Sequence, residues 1–352
     1  MPTDTVPIRP EERFDERRVA DHLREHLSEL VGDHDIVFDQ FPGGAANLTY
    51  RAVAGDVELV LRRAPLGEVA KGGHDMEREH RVLSGLWRAF PKAPRAYHYC
   101  KDPSVMGKPF FVMERRYGHV VRTRWPEPFG EDEGPRRRVT EHLVDTLAAL
   151  HGVSPGGVGL DDLGHPDGFV DRQISGWARR WDAAKTREVP DMEALANRLA
   201  TSVPRAQAVT ILHNDFKLDN AMVSGSGEIV AVFDWDMTTR GDPLVDVGAL
   251  LAYWIDPTGP AQVVFGDRVQ ALTPYMSRRE VVERYASATG FDLGSIRFYL
   301  ALAYYRVAVI IEQIYTRYAR GQTTDERFAR FGSAAPLLAA SGTATLEGDA
   351  GL

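Results

Sequence analysis

The chain has 352 residues, 43% hydrophobic and 26% charged, with a formal net charge of −8. That balance excludes a disordered chain, and the acidity argues against a nucleic-acid surface over much of the protein. The length suggests two domains or lobes, and the lone cysteine, Cys100, excludes an intramolecular disulfide or a Cys-rich zinc site and fits a reducing cytoplasm.

The N-terminal run MPTDTVPIRPEERFDERR is charged and lacks the apolar core of a signal peptide, so residues 1–30 read as an N-terminal extension. Three short runs rich in β-branched and aromatic residues follow, DIVFDQF, NLTYRAVA and VELVLRR, and predict strands separated by Gly or Asp turns. FPGGAANLTY lies between the first two and predicts a glycine hairpin. The third strand delivers Arg62 and Arg63 to opposite faces, one inward and the other, Arg63, into solvent. In HDMEREHRVLSGLWRAF the apolar residues repeat at helical spacing, with Glu79 on the apolar stripe between Met76 and Leu83. A carboxylate there calls for a cationic partner. APRAYHYC and PFFVMER complete a β-rich lobe over residues 31–115.

From residue 116 the pattern is mainly helical. VTEHLVDTLAALHGV is amphipathic; AVTILH, AMV and EIVAVFDW are short strands around the polar loop LHNDFKLDN; the residues after Pro243 read as helices. The most apolar stretch, FYLALAYYRVAVIIEQIY, is broken by Arg306 and Glu312 and is too short for a membrane span, so it predicts a buried helix. Residues 332–352 are rich in small residues and predict a flexible tail. The expected architecture is α+β and bilobal, with a small antiparallel β-rich N-lobe and a larger, mainly helical C-lobe over 116–331.

The loop LHNDFKLDN and the strand end FDWD pose the functional question. Any one of Asp215, Asn220 and Asp234 alone reads as a turn residue. Together they offer an amide oxygen and carboxylates, hard ligands of the kind magnesium takes along with phosphate oxygens. Phosphoryl transfer needs one carboxylate to orient the acceptor hydroxyl, metal ligands, cations on the phosphates and a loop over them. These parts occur in that chain order: Gly43 and Gly44 in the hairpin, Arg62 on the third strand, Glu79 to hold that cation, then the loop.

This order resembles the aminoglycoside phosphotransferase family, within the protein-kinase-like fold, over roughly Asp35 to Tyr318. GGAANLTY, LVLRR, the Glu79 helix, FFVMER with Gly118, LHNDFKLDN, VFDWD and GDPLVDVG carry the resemblance. LVLRR and GDPLVDVGALLAYW look like the phosphotransferase domain found alongside, or fused to, acyl-CoA dehydrogenases. The resemblance implies Asp215 as the catalytic carboxylate, Asn220 and Asp234 as magnesium ligands, His213 as support for the loop, and Asp246 beneath it, bonding its backbone. It implies a nucleotide site from Gly43, Gly44, Asn47, Arg62 and Glu79, with Met113, Glu114 and Arg115 in a hinge that reads adenine. Arg62 departs from the lysine of many members; a planar fork replaces a point charge.

The expected activity is magnesium-dependent transfer of the γ-phosphate of ATP or GTP to a small-molecule hydroxyl, a hydroxyacyl compound foremost, with aminoglycosides or choline-like amino alcohols as alternatives. The reading from another class is a kinase-like module that binds nucleotide without transferring phosphate. Neither nucleic acid nor membrane is expected as a partner, the location is expected to be cytoplasmic, and a functional link to an acyl-CoA dehydrogenase is implied.

Overall fold

The alternating runs of the first third pair as a five-stranded antiparallel sheet in the computed structural model, which describes residues 4–42, 47–66, 75–122, 124–130, 132–254, 275–323, 325–348 and 351–352. The chain divides into two units, Met1–Tyr117 with Ala231–Thr238, and Gly118–Val230 with Thr239–Leu352.

In the first unit, α1 (Glu16–His26) and the short α2 (Ser28–Val31) precede the strands β1 (Ile36–Gln40), β2 (Leu48–Ala54) and β3 (Val57–Arg63). Then come α3 (Met76–Leu86), β4 (Ala96–Cys100), α4 (Pro103–Met106) and β5 (Phe110–Glu114), and the sheet order is β1-β2-β3-β5-β4. Residues set apart as an extension contribute to this unit's core: Val19, Ala20 and Leu23 of α1 are buried with Phe38, Tyr50, Leu61 and Phe110. Asp15 caps α1 through the Arg18 N–H, and Asp75 caps α3 through that of Arg78, satisfying donors that a helix start leaves unpaired.

Arg63 corrects an expectation. It does lie on the face opposite Arg62, but it is buried rather than solvated. Its guanidinium donates to the Tyr50 hydroxyl at 2.7 Å and to the carbonyls of Met106 and Glu12, and it stacks over the Tyr50 and Phe14 rings. Two carbonyls, a phenol and two π faces replace its hydration, which is how a buried cation is tolerated.

The second unit holds β6 (His119–Val120), α5 (Glu133–His151), α6 (Phe169–Ala184) and α7 (Pro190–Thr201). β7 (Thr210–Leu212) leads into the polar loop and β8 (Ala221–Val223); β9 (Ile229–Val232) carries the chain back to the first unit, and β10 (Thr239–Gly241) returns to pair with β7. Then follow α8 (Leu244–Tyr253), α9 (Arg278–Thr289) and α10 (Ile296–Ala319). A Cβ on Gly248 would lie 2.5 Å from the Tyr299 backbone, so glycine sets how closely α8 approaches α10. α10 is the apolar stretch of the sequence; its buried Glu312 meets Arg187 at 3.0 Å, and among the described residues no helix is long and apolar enough to cross a membrane.

The segment 332–352 also differs from expectation. Ala334–Glu347 forms a helix, α11, packed on α10 and α7, with Ala334, Ala335, Leu338, Ala339 and Gly342 buried. Its small residues are what let it pack closely: a Cβ on Gly342 would fall 2.6 Å from a Leu195 methyl. Replacing the buried Leu338 with Ala is expected to destabilise the protein by about 2–4 kcal/mol in equilibrium denaturation, whereas a flexible tail would show no change.

Candidate active site

In the second unit the loop between β7 and β8 is shaped from below. Asp246, on the first turn of α8 and fully buried, accepts the backbone N–H of His213 on one oxygen and of Asn214 on the other, both at 2.7 Å. Its Oδ2 also meets His151 Nε2 at 3.2 Å, and the other ring nitrogen of His151 lies 2.6 Å from the Tyr285 hydroxyl. Burial alone would push the Asp246 carboxyl up, but the hydrogen bond and charge of His151, with those of His213, hold it below the usual carboxylate range. An ionised carboxylate with both oxygens engaged can fix two consecutive N–H groups.

That clamp coincides with unusual backbone. Asn214 has φ of +65°, in the left-handed region that non-glycine residues seldom occupy and that Asn tolerates best. Phe216 is buried beyond it, and His213 Nδ1 accepts the Asp215 N–H at 3.3 Å. The reversal leaves Asp215 partly exposed between buried neighbours. Lys217 Nζ reaches its two oxygens at 2.8 and 2.6 Å, and Asn220 Nδ2 donates to its Oδ2 at 2.9 Å and its carbonyl at 2.8 Å. With the amide nitrogen turned toward Asp215, Oδ1 is the Asn220 atom able to face a cation. Burial would lower the Lys217 ammonium, but the charges of Asp215, Tyr253 and Asp219 and the hydrogen bond to Asp215 together hold the group well above its ordinary value.

In the first unit, Arg62, Glu79 and Asp234 come together. Arg62 Nε lies 3.0 Å from the buried Glu79 carboxylate, and the Arg62 guanidinium also pairs with Asp234. Asp234 has φ of +72°, a second left-handed residue, and the next residue, Trp235, is fully buried with its N–H 3.4 Å from Glu79 Oε1 and its indole N–H donating to the Val232 carbonyl at 2.8 Å. Strained backbone at both Asn214 and Asp234, each beside a candidate functional carboxylate, marks them as positions where geometry serves more than stability. Burial pushes Glu79 up to about 7; the Arg62 charge opposes this, and the Asp234 and Asp236 carboxylates add to it. The Glu79 and Asp234 carboxylates thus share Arg62, and the charge of Asp236 also acts on it.

Gly43 and Gly44 lie outside the described residues, and Asn47 is buried just before β2. Met113 sits within β5 between β3 and β4, and the Glu114 N–H donates to the Arg95 carbonyl at 2.8 Å. The Glu114 carboxylate pairs with Arg116 at 2.9 Å, while Arg115 pairs with Asp4 at 2.7 Å and stacks over Phe41. These side chains are occupied, so any hinge reading falls to backbone groups. The sequence reading missed Lys217 and the partners of His151, the last residue of α5. Lys217 stands two positions after Asp215, a spacing that puts it beside that carboxylate. Nothing in the sequence announces the pairing of His151 with Asp246, 95 positions away.

Comparison with known proteins follows the same residues. The model of a phosphotransferase enzyme family matches residues 37–299. Over 329 residues, 92% of this chain and 42% of the other, the sequence is 30% identical to acyl-CoA dehydrogenase family member 11 of Rattus norvegicus; the chain spans less than half of that relative. Among solved structures, a candidate aminoglycoside phosphotransferase from Ralstonia eutropha JMP134 is 27% identical with a TM-score of 0.81, covering 95% of this chain and 99% of that one. A spectinomycin phosphotransferase in complex with ADP and spectinomycin is 11% identical with a TM-score of 0.60, covering 96% and 100%, a likeness of fold alone. The fold is the α+β protein-kinase-like one.

The Glu79 pair has a pH consequence. A carboxyl raised from 4.5 to about 7 on folding contributes stability that is full below the unfolded value and is lost as pH rises through 7. Relative to Glu79→Gln, the wild type is expected to lose about 2–3 kcal/mol of unfolding free energy between pH 4.5 and 7.5, read from urea titrations at several pH values. A pH-independent difference would show that folding leaves the Glu79 carboxyl at its unfolded value.

Proposed function

The chain belongs to the phosphotransferase enzyme family, and from that premise we propose that it transfers the γ-phosphate of ATP, or GTP, to a hydroxyl of a small molecule with magnesium bound. The observation that carries this reading is the Asp215 carboxylate, held by Lys217 and Asn220 on a loop whose backbone is clamped by Asp246. A carboxylate so fixed orients an acceptor hydroxyl and takes its proton, and phosphoryl transfer asks little more of the protein than positioning and charge neutralisation. Asn220 through Oδ1 and Asp234 through its carboxylate are the proposed magnesium ligands; the ion supplies neutralisation of phosphate charge when bound. Arg62, held by Glu79, is the proposed phosphate cation, and Lys217 the proposed second one, beside the reacting hydroxyl.

The acceptor proposed is anionic, a hydroxyacyl compound, free or as a coenzyme A thioester. Support comes from charge within the second unit: besides Lys217, the charge of Arg306 acts on Tyr253, whose ring Lys217 overlies at 5.0 Å, and the exposed Arg122 acts on Asp219. The name of the relatives, acyl-CoA dehydrogenase family members, supports the same choice.

Asp215→Ala is expected to lower turnover on the order of 1,000-fold while leaving the nucleotide dissociation constant within about twofold. The check is nucleotide depletion against a panel of hydroxyacyl compounds and their coenzyme A esters, aminoglycosides and amino alcohols, with calorimetric nucleotide binding alongside. Full activity in the variant would sink the role of Asp215. Arg306→Gln is expected to raise KM for the acyl acceptor about tenfold with kcat retained; preference for the aminoglycosides would overturn the choice of acceptor.

A further inference from the structure

Three histidines of the first unit converge away from every residue assigned above. His22 and His26 stand four positions apart on α1, the spacing that places two imidazoles on one helix face. His98 reaches them from β4, the edge strand of the sheet. The Nε2 atoms of His22 and His98 are 3.0 Å apart, and one nitrogen from each of the three rings lies within 4.8 Å of the others. We propose that His22, His26 and His98 form a binding site for a divalent first-row transition ion, zinc foremost, that ties α1 to the sheet edge.

The donor chemistry fits. His26 Nδ1 lies 3.0 Å from the His22 backbone carbonyl and so donates to it, which leaves Nε2 of His26 as its lone-pair nitrogen. Ligating histidines are oriented by just such a bond from the second ring nitrogen. Nitrogen ligands about 2.0–2.1 Å from a tetrahedral zinc lie roughly 3.4 Å from one another, so the His22–His98 pair is already close to that bite. The third ring needs a shift of an ångström or so, and His26 is exposed and able to make it. The metal-free packing is otherwise poorly served by these residues: the rings stack at centroid distances of 4.1, 4.6 and 5.1 Å, and two facing Nε2 atoms share at most one hydrogen. Burial and the neighbouring histidines, His80 included, push His98 down to about 4; burial also lowers His22, against the charges of Glu25 and Asp102. Both shifts favour the neutral form of His22 and His98, the form that binds metal. A fourth position is left to water or a small anion, as in an open three-histidine zinc site.

The role that follows is structural. α1 buries Val19, Ala20 and Leu23 in the sheet's core, and an ion bridging its outer face to β4 would pin both elements. Magnesium, which prefers oxygen, would not compete for three imidazoles.

The test uses the full chain without a histidine tag, stripped with chelator and dialysed into buffer with 5 mM magnesium, an excess of the kind used to fill oxygen-ligand sites. Zinc sulfate is titrated calorimetrically, and cobalt(II) is added in a parallel sample for its absorption spectrum. One equivalent of zinc bound with a dissociation constant below about 1 µM is expected, with a tetrahedral cobalt spectrum and a melting temperature raised by about 5 °C. His26→Gln, at an exposed position, is expected to weaken zinc at least tenfold with the metal-free melting temperature little changed, and His98→Gln to abolish both the spectrum and the melting shift. Zinc binding weaker than about 50 µM, or binding unchanged in His26→Gln and His98→Gln, would overturn the site. Neither outcome bears on the phosphotransferase reading, which rests on other residues.

Discussion

The arrangement of the loop between β7 and β8 depends on one buried carboxylate. Asp246 takes the N–H groups of His213 and Asn214 on its two oxygens, and these bonds hold Asn214 in a left-handed conformation that the chain would not adopt unaided. A buried carboxylate is expensive unless its lone pairs are filled, and here they are filled by the groups it must position and by His151. The Gly248 approach of α8 to α10 places Asp246 in the first place, so core packing and loop geometry are one construction. Asp215 then projects from the loop into a charge balance set by Lys217 and the Asn220 amide rather than by solvent.

The first unit solves a parallel problem around one arginine, Arg62. Arg62 is shared between Glu79 and Asp234, and the charge of Asp236 acts on it as well. Burial pushes the Glu79 carboxyl up against the opposing pull of the Arg62 charge. Arginine in place of lysine suits this setting: a fork can bridge two carboxylates where a point charge would serve one.

What could be read in the sequence was whatever is written locally. Strands β1 to β5 followed from alternation and turn residues, α3 from its helical spacing, and the partner of Glu79 from the cost of a carboxylate on an apolar stripe. The Asp215, Asn220 and Asp234 set stood out because its members crowd two short strand ends. Interactions closed over long separations were not legible. Arg63 finds Glu12 and Met106 at 51 and 43 positions, and its neighbour's alternation says only which face it takes. His151 meets Asp246 at a distance of 95 positions, and the small residues of α11 read as a flexible tail because the large surface they nestle against lies elsewhere in the chain. Lys217 was hidden for another reason: a lysine in a polar loop looks solvated until its carboxylate partner is known to be held still.

The account therefore rests on Asp246 acting through the loop rather than through the fold alone. The most direct measurement is nucleotide turnover by Asp246→Asn with water as the acceptor, which needs no knowledge of the natural substrate, alongside calorimetric nucleotide binding and the melting temperature of the same sample. The account predicts a fall in kcat of at least about 100-fold with nucleotide affinity retained, in protein still folded at the assay temperature. Turnover equal to the wild type in folded Asp246→Asn would contradict it.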